Sequence, residues 1–143
     1  MAKSTATSNS ILALIFNATA FANIAKNGDT PLTSLYVSLH TGDPGVGGSQ
    51  LTNETAYGSY ARVAVTRDTS GWVAPVAGST SNTALFQFIQ ATSGPSVISY
   101  VAIGTDATGA GRVLYAGQLS SNRTIDTGIQ PQFNLGSLVI SES

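Results

Sequence analysis

Leu35, Val37 and Leu39 alternate with Tyr36, Ser38 and His40, the period-two spacing of a strand with one face on a core. Gly42-Asp43-Pro44-Gly45 follows directly and has to stop that strand. Proline fixes φ, the residue before it is pushed out of the helical region, and the flanking glycines tolerate angles other residues avoid. His40, Asp43 and Pro44 therefore read as the structural residues of a turn where the strand leaves its sheet. An Asp before Pro can accept bonds from nearby backbone N–H groups and hold that exit.

Before this strand the period changes. Ile11, Leu14, Ile15, Ala18, Phe21, Ala22 and Ala25 recur at helical spacing, and Leu12, Phe16 and Ile24 widen the stripe. The pattern predicts an amphipathic helix of about four turns, capped by Ser8, Asn9 or Ser10 and ended by Lys26 and Asn27-Gly28 before Pro31. Residues 1–9 are small and polar and predict a flexible arm, so arm and helix together occupy about residues 1–28. Ile11, Leu14, Ile15, Phe16 and Phe21 reach too far round the helix for one sheet face to cover. They form a candidate assembly interface, covered by the chain's own domain or by a second copy.

After the turn, residues 46–54 form a long loop of turn formers, of the kind that makes contacts. Strand patterns then recur at 60–67, 72–76 (limited by Pro75), 84–89, 97–103, 112–119, 123–125, 132–135 and 138–140, separated by Gly, Pro, Asn, Asp and Ser. The Val97–Ile103 run is nearly all apolar and predicts a central strand, with 104–111 as its loop. About eight short strands without alternating helices predict a mainly β chain, an antiparallel β-sandwich with one N-terminal helix. At 143 residues without an internal repeat, it is expected to be a single domain over 1–143.

Composition narrows the function. Only 9% of residues are charged and the net charge is −1, against about 25% charged residues in ordinary soluble domains. A neutral coat of hydroxyls and amides gives little colloidal repulsion and suits a protein packed against copies of itself or a large partner. Six basic against seven acidic residues, with no cluster, leave no electrostatic footprint for nucleic acid. The apolar stretch 11–25 is interrupted by Asn17, Thr19 and Asn23, follows one positive charge and is too short to span a bilayer. It predicts a cytosolic product with no export signal and no membrane partner.

Candidate chemistry is sparse. With no cysteine, disulfides and thiolate sites are excluded. His40 is the single histidine, with Asp43 its nearest carboxylate in sequence, and no serine stands in a strand–turn–helix nucleophile context. The Gly-rich 42–48 loop lacks the lysine and helix of a phosphate cradle. The seven carboxylates show no metal or glycosidase spacing and read as solvated turn residues. Trp72 and the tyrosines read as core or interface packing rather than a sugar platform. The expectation is a non-enzyme without cofactor or metal.

Four blocks carry a resemblance: residues 12–19 with 21–25, Leu35 through Gly45, Gly58 through Val65, and Ala102-Ile103-Gly104 through Gly109-Ala110-Gly111 to Leu114-Tyr115-Ala116-Gly117. Together they resemble a family of small virion-associated proteins of tailed bacteriophages, often labelled tail-fibre proteins and including capsid cement proteins. The resemblance implies a structural virion protein. For the cement members it implies a jelly-roll-like β fold, sitting as homodimers on the outer capsid shell and bridging major capsid protein subunits. The expectation is accordingly a capsid decoration or cement protein, with a tail-fibre or baseplate module able to contact a host receptor as the alternative. A cement protein would clip the seams of a shell under pressure from packaged DNA, where repeated contacts make modest single-site affinity sufficient.

Overall fold

The chain is built on the strand Ser34–His40. In the computed structural model, which describes residues 1–7, 10, 20–24, 32–74 and 79–141, the strands are β1 (Ala2–Lys3), β2 (Ser34–His40), β3 (Val63–Thr66), β4 (Ser79–Ser81), β5 (Phe86–Gln87), β6 (Ser96–Gly104), β7 (Val113–Ile125), β8 (Gln132–Phe133) and β9 (Val139–Ser141). A five-stranded sheet has the order β1-β7-β6-β2-β3, and β4 with β9 and β5 with β8 form two-stranded sheets. Every pairing is antiparallel. The fold is mainly β, as the strand pattern predicts.

Register follows the hydrophobic pattern. Val37 lies opposite Ile103 and Leu39 opposite Val101, which places four apolar side chains on one face. Val65, Ile98 and Ile125 extend that face, and Tyr57, Phe86, Phe88, Ala91, Leu138 and Ile140 meet it in one buried cluster. Tyr60 stacks on Phe88 at 6.2 Å, while Trp72 meets Phe86 edge-on at 5.6 Å. On the opposite face Ser38, His40 and Ala102 are also fully buried, so the centre of the sheet is covered on both sides.

Several expectations are corrected. The arm expected to be free instead supplies β1, which pairs with Ala116 and Tyr115. Ser4 and Thr7 are buried beyond it, and the Thr7 hydroxyl donates to the Val113 carbonyl. Residues 5–7 form a short helical turn. Most of the long helix expected over 11–25 lies outside the described residues, but its last turns do not. Residues 20–24 are bridge and turn, with Asn23 at φ 63° and the Ile24 N–H bonded to the Phe21 carbonyl. A short polar side chain tolerates that left-handed conformation and ends any helix there.

The segments expected as two strands, 112–119 and 123–125, form the single β7. Its register against β6 jumps from Tyr100↔Gln118 to Ile98↔Arg123, so the Ser-Ser-Asn break is a large bulge inside one strand. β4 is all Ser and Thr and carries no apolar alternation. It is held by pairing with β9 and by Asn82, whose amide donates to the Ala84 and Asn134 carbonyls and accepts from the Leu138 N–H.

Candidate functional site

The 41–55 loop leaves the end of β2, folds back over the polar face of the five-stranded sheet and meets the 104–111 loop, which leaves β6 opposite the start of β2, around buried polar side chains. Gln50 is fully buried between them. Its Nε2 donates to the Asp106 carbonyl at 3.3 Å and its Oε1 accepts from the Asp106 N–H at 2.9 Å, while its own N–H bonds to the Gly111 carbonyl at 2.8 Å. A side chain fits there because residues 104 and 111 have none: a Cβ on either glycine would collide with the Gln50 carboxamide. The glutamine therefore replaces a strand as the partner of the loop backbone.

An ion pair ties the same loop from the other side. Arg62 Nε and Nη2 lie 2.7 Å from Glu54 Oε1 and Oε2, and the two side chains are 2% and 10% exposed. The remaining guanidinium donors reach the Asp106 and Gly109 carbonyls at 2.8 Å. Tyr60 completes the group: its hydroxyl donates to Glu54 Oε1 at 2.9 Å and accepts from the Leu39 N–H at 3.1 Å. The carboxylate's hydrogen bond holds the Arg62 guanidinium above its ordinary range. Glu54 was expected to be a solvated turn residue. It is instead the hub of a buried network, because a bidentate guanidinium and a phenol replace the water it gives up.

The three predicted turn residues fall at the edge of this cluster. Asp43 is exposed, and its Oδ1 accepts from the Gly45 N–H at 2.8 Å, while its carbonyl accepts from Asn53 Nδ2 at 2.8 Å. Pro44 is buried. Gly45, at φ 70°, and Asn53, at φ 55°, take the left-handed conformations that reverse the chain. His40 is fully buried. Its Nδ1 lies 2.9 Å from the Thr52 carbonyl and its Nε2 2.9 Å from Ser38 Oγ. A carbonyl can only accept, so Nδ1 carries the proton and Nε2 accepts from the Ser38 hydroxyl. Burial holds the imidazole below its ordinary range, against the opposing pull of the Thr52 carbonyl.

These stiffened loops present two large apolar side chains outward. Val46 is 61% exposed and Leu51 55% exposed, beside the exposed residues Asp43 and Asp106–Ala110. Of the predicted interface residues, Ile11, Leu14, Ile15 and Phe16 lie outside the described residues. Phe21 is described and is buried within the chain, its ring 5.5 Å from the Arg112 guanidinium, which also donates to Ser10 Oγ at 2.8 Å.

A groove of about 670 Å³ runs beside the bulged part of β7. Among the described residues its lining includes Ile98, Val101, Phe133, Leu138 and Arg123 and contains no carboxylate side chain and no imidazole. Among the described residues no three His, Asp or Glu side chains come close enough to hold a metal ion, and no helix is long and apolar enough to cross a membrane. Sequence reading missed Gln50, Glu54 and Arg62 as a unit. The available signal was a chain of very low charge placing a glutamate and an arginine eight positions apart on either side of two tyrosines.

A family model described as podophage GP4 fiber I protein gp80 matches residues 2–141. The chain belongs to that family, which makes it a phage virion protein. No curated protein matches it.

Proposed function

We propose that this member of a podophage fiber family is a non-enzymatic structural module of the phage fibre, attached to a neighbouring virion protein through the platform formed by its 41–55 and 104–111 loops. The observation that carries the reading is a combination. Val46 and Leu51 are large, apolar and more than half exposed, yet the loops around them are tied by Gln50, Arg62 and His40. A surface already held in shape loses little conformational entropy when it binds. Apolar groups kept in water on a rigid frame suit a permanent contact better than a catalytic site.

The family description names a fiber protein, so the tail-fibre alternative stands ahead of the expected capsid cement protein on the outer shell bridging major capsid protein subunits. Two finer features belong to the same proposal. The two-stranded sheets act as the second layer of an open sandwich over one domain. Copies self-associate through the apolar segment bearing Ile11, Leu14, Ile15 and Phe16.

The test is copy number and position in purified particles, by quantitative mass spectrometry against the major capsid protein and by immunogold labelling. A few to a few dozen copies located on fibres or tail are expected. Hundreds of copies spread over the shell would return the cement reading to first place.

A further inference from the structure

We propose that His40 is an acid-releasable latch that holds the 43–53 loop, and with it Val46 and Leu51, against the end of β2. Its consequence for attachment rests on the docking role given to that loop above; its test does not. The imidazole is the side chain through which the last residue of β2 grips the far arm of the loop, by the 2.9 Å bond to the Thr52 carbonyl. Backbone bonds from Thr41 to Asn53 and from Thr55 to Leu39 flank it, and the ring itself has no contact with water.

Adding a proton would not break these hydrogen bonds. Nδ1 keeps Thr52, and Ser38 Oγ can turn from donor to acceptor, sending its own hydrogen to the Ala102 carbonyl at 3.4 Å. What the closed loop cannot supply is solvation of the new charge. The groups around the ring do not replace it. Tyr100 lies opposite on β6 and offers no carboxylate. Glu54 and Arg62 face the ring with opposite effects and are joined to each other at 2.7 Å. Asp43, on the loop itself, is exposed and bonded to the Gly45 N–H. Opening the loop is the route by which the imidazolium reaches water, so acid draws the equilibrium toward the open form.

The experiment is amide hydrogen exchange by NMR on the full chain at Thr41, Gln50, Thr52 and Thr55, from pH 8 to pH 5, corrected for intrinsic exchange. Loop opening should rise by up to about tenfold per pH unit below about 6.5 in the wild type, and stay flat in His40→Gln, which keeps a donor and an acceptor. As the only histidine, His40 also gives one unambiguous imidazole C2–H signal, expected to stay at its neutral position while the loop amides are protected. A pH-independent opening in the wild type, an equal rise in His40→Gln, or an imidazole that titrates near 6.5 with the loop closed would overturn the latch. If His40→Gln lacks native chemical-shift dispersion, the wild-type imidazole titration decides alone. No particle is present in these samples, so failure of the docking role and failure of the latch are read separately.

Discussion

Arg62 and Glu54 stand eight residues apart in sequence and meet as a two-pronged pair, with both N···O distances at 2.7 Å and both side chains almost out of water. Removing one partner strands the other charge. Arg62→Ala should lower unfolding stability by about 3–5 kcal/mol, whereas a double replacement, Arg62→Met with Glu54→Leu, should cost far less because neither charge is left behind. Arg62→Lys should fall between, since an ammonium cannot hold both carboxylate oxygens and two loop carbonyls at once. Urea denaturation of the four proteins checks the order; equal losses in the single and double replacements would show that the pair is not desolvated.

Gln50 and the two glycines that make room for it should behave as one unit. Gln50→Ala leaves the Asp106 N–H without its partner and opens a void, and should cost about 2–3 kcal/mol. Gly104→Ala puts a methyl where the carboxamide lies and should also destabilise. In the double variant the methyl occupies vacated space, so the loss should be smaller than the sum by about 0.5–3 kcal/mol. Simple additivity in a double-mutant cycle would refute the cradle.

The parts of this fold legible in the sequence are those in which apolar residues mark a period. β2 and β6 stand where alternation or a continuous apolar run places them, and the 104–111 loop falls between glycines that close approach requires. β1 and β4 were illegible because hydrogen bonding to a partner strand holds them; Ser79-Thr80-Ser81 has nothing to bury. The bulge in β7 was read as a break because Ser-Ser-Asn prefers turns, a local preference that pairing of Arg123 with Ile98 overrides. At the site, Asp43 and Pro44 carry local turn chemistry and could be singled out. Glu54 could not, because a carboxylate becomes a buried hub only through Arg62 and Tyr60, and sequence spacing does not bring those three together.

Tyr57 gives a prediction at the alkaline end. Burial pushes its phenol up to about 12, and its hydroxyl donates to the Ile89 carbonyl at 3.1 Å. Burial raises Tyr60 as well. The unfolded chain ionises these phenols near their ordinary value of about 10, so it releases protons that the folded chain retains. The contribution of Tyr57 to stability is therefore complete below about pH 10 and lost as pH rises through about 12. Tyr57→Phe should sacrifice about 1 kcal/mol at pH 8 for the missing hydrogen bond, yet lose stability less steeply above pH 10. Parallel stability curves for the two proteins from pH 8 to pH 12 would show that Tyr57 ionises freely in the native state.

Val46 and Leu51 decide whether the platform is a contact surface. At 61% and 55% exposure, neither supports much of the core, so Val46→Asp and Leu51→Asp should change the stability of the isolated protein by no more than about 0.5 kcal/mol. Against a partner the same carboxylate would lose its water without gaining a counter-charge, a loss of about 2 kcal/mol or more, equivalent to roughly thirtyfold in affinity. Leu135→Asp is the control: Leu135 is 71% exposed, but it sits in the turn between β8 and β9, not on the platform. All three proteins should fold with wild-type thermal midpoints. Only the two platform variants should be depleted from purified virions when expressed in place of the wild type. If all three are incorporated equally, the platform loops do not hold this protein in the particle; if Leu135→Asp alone is lost, attachment runs through the β8–β9 turn instead.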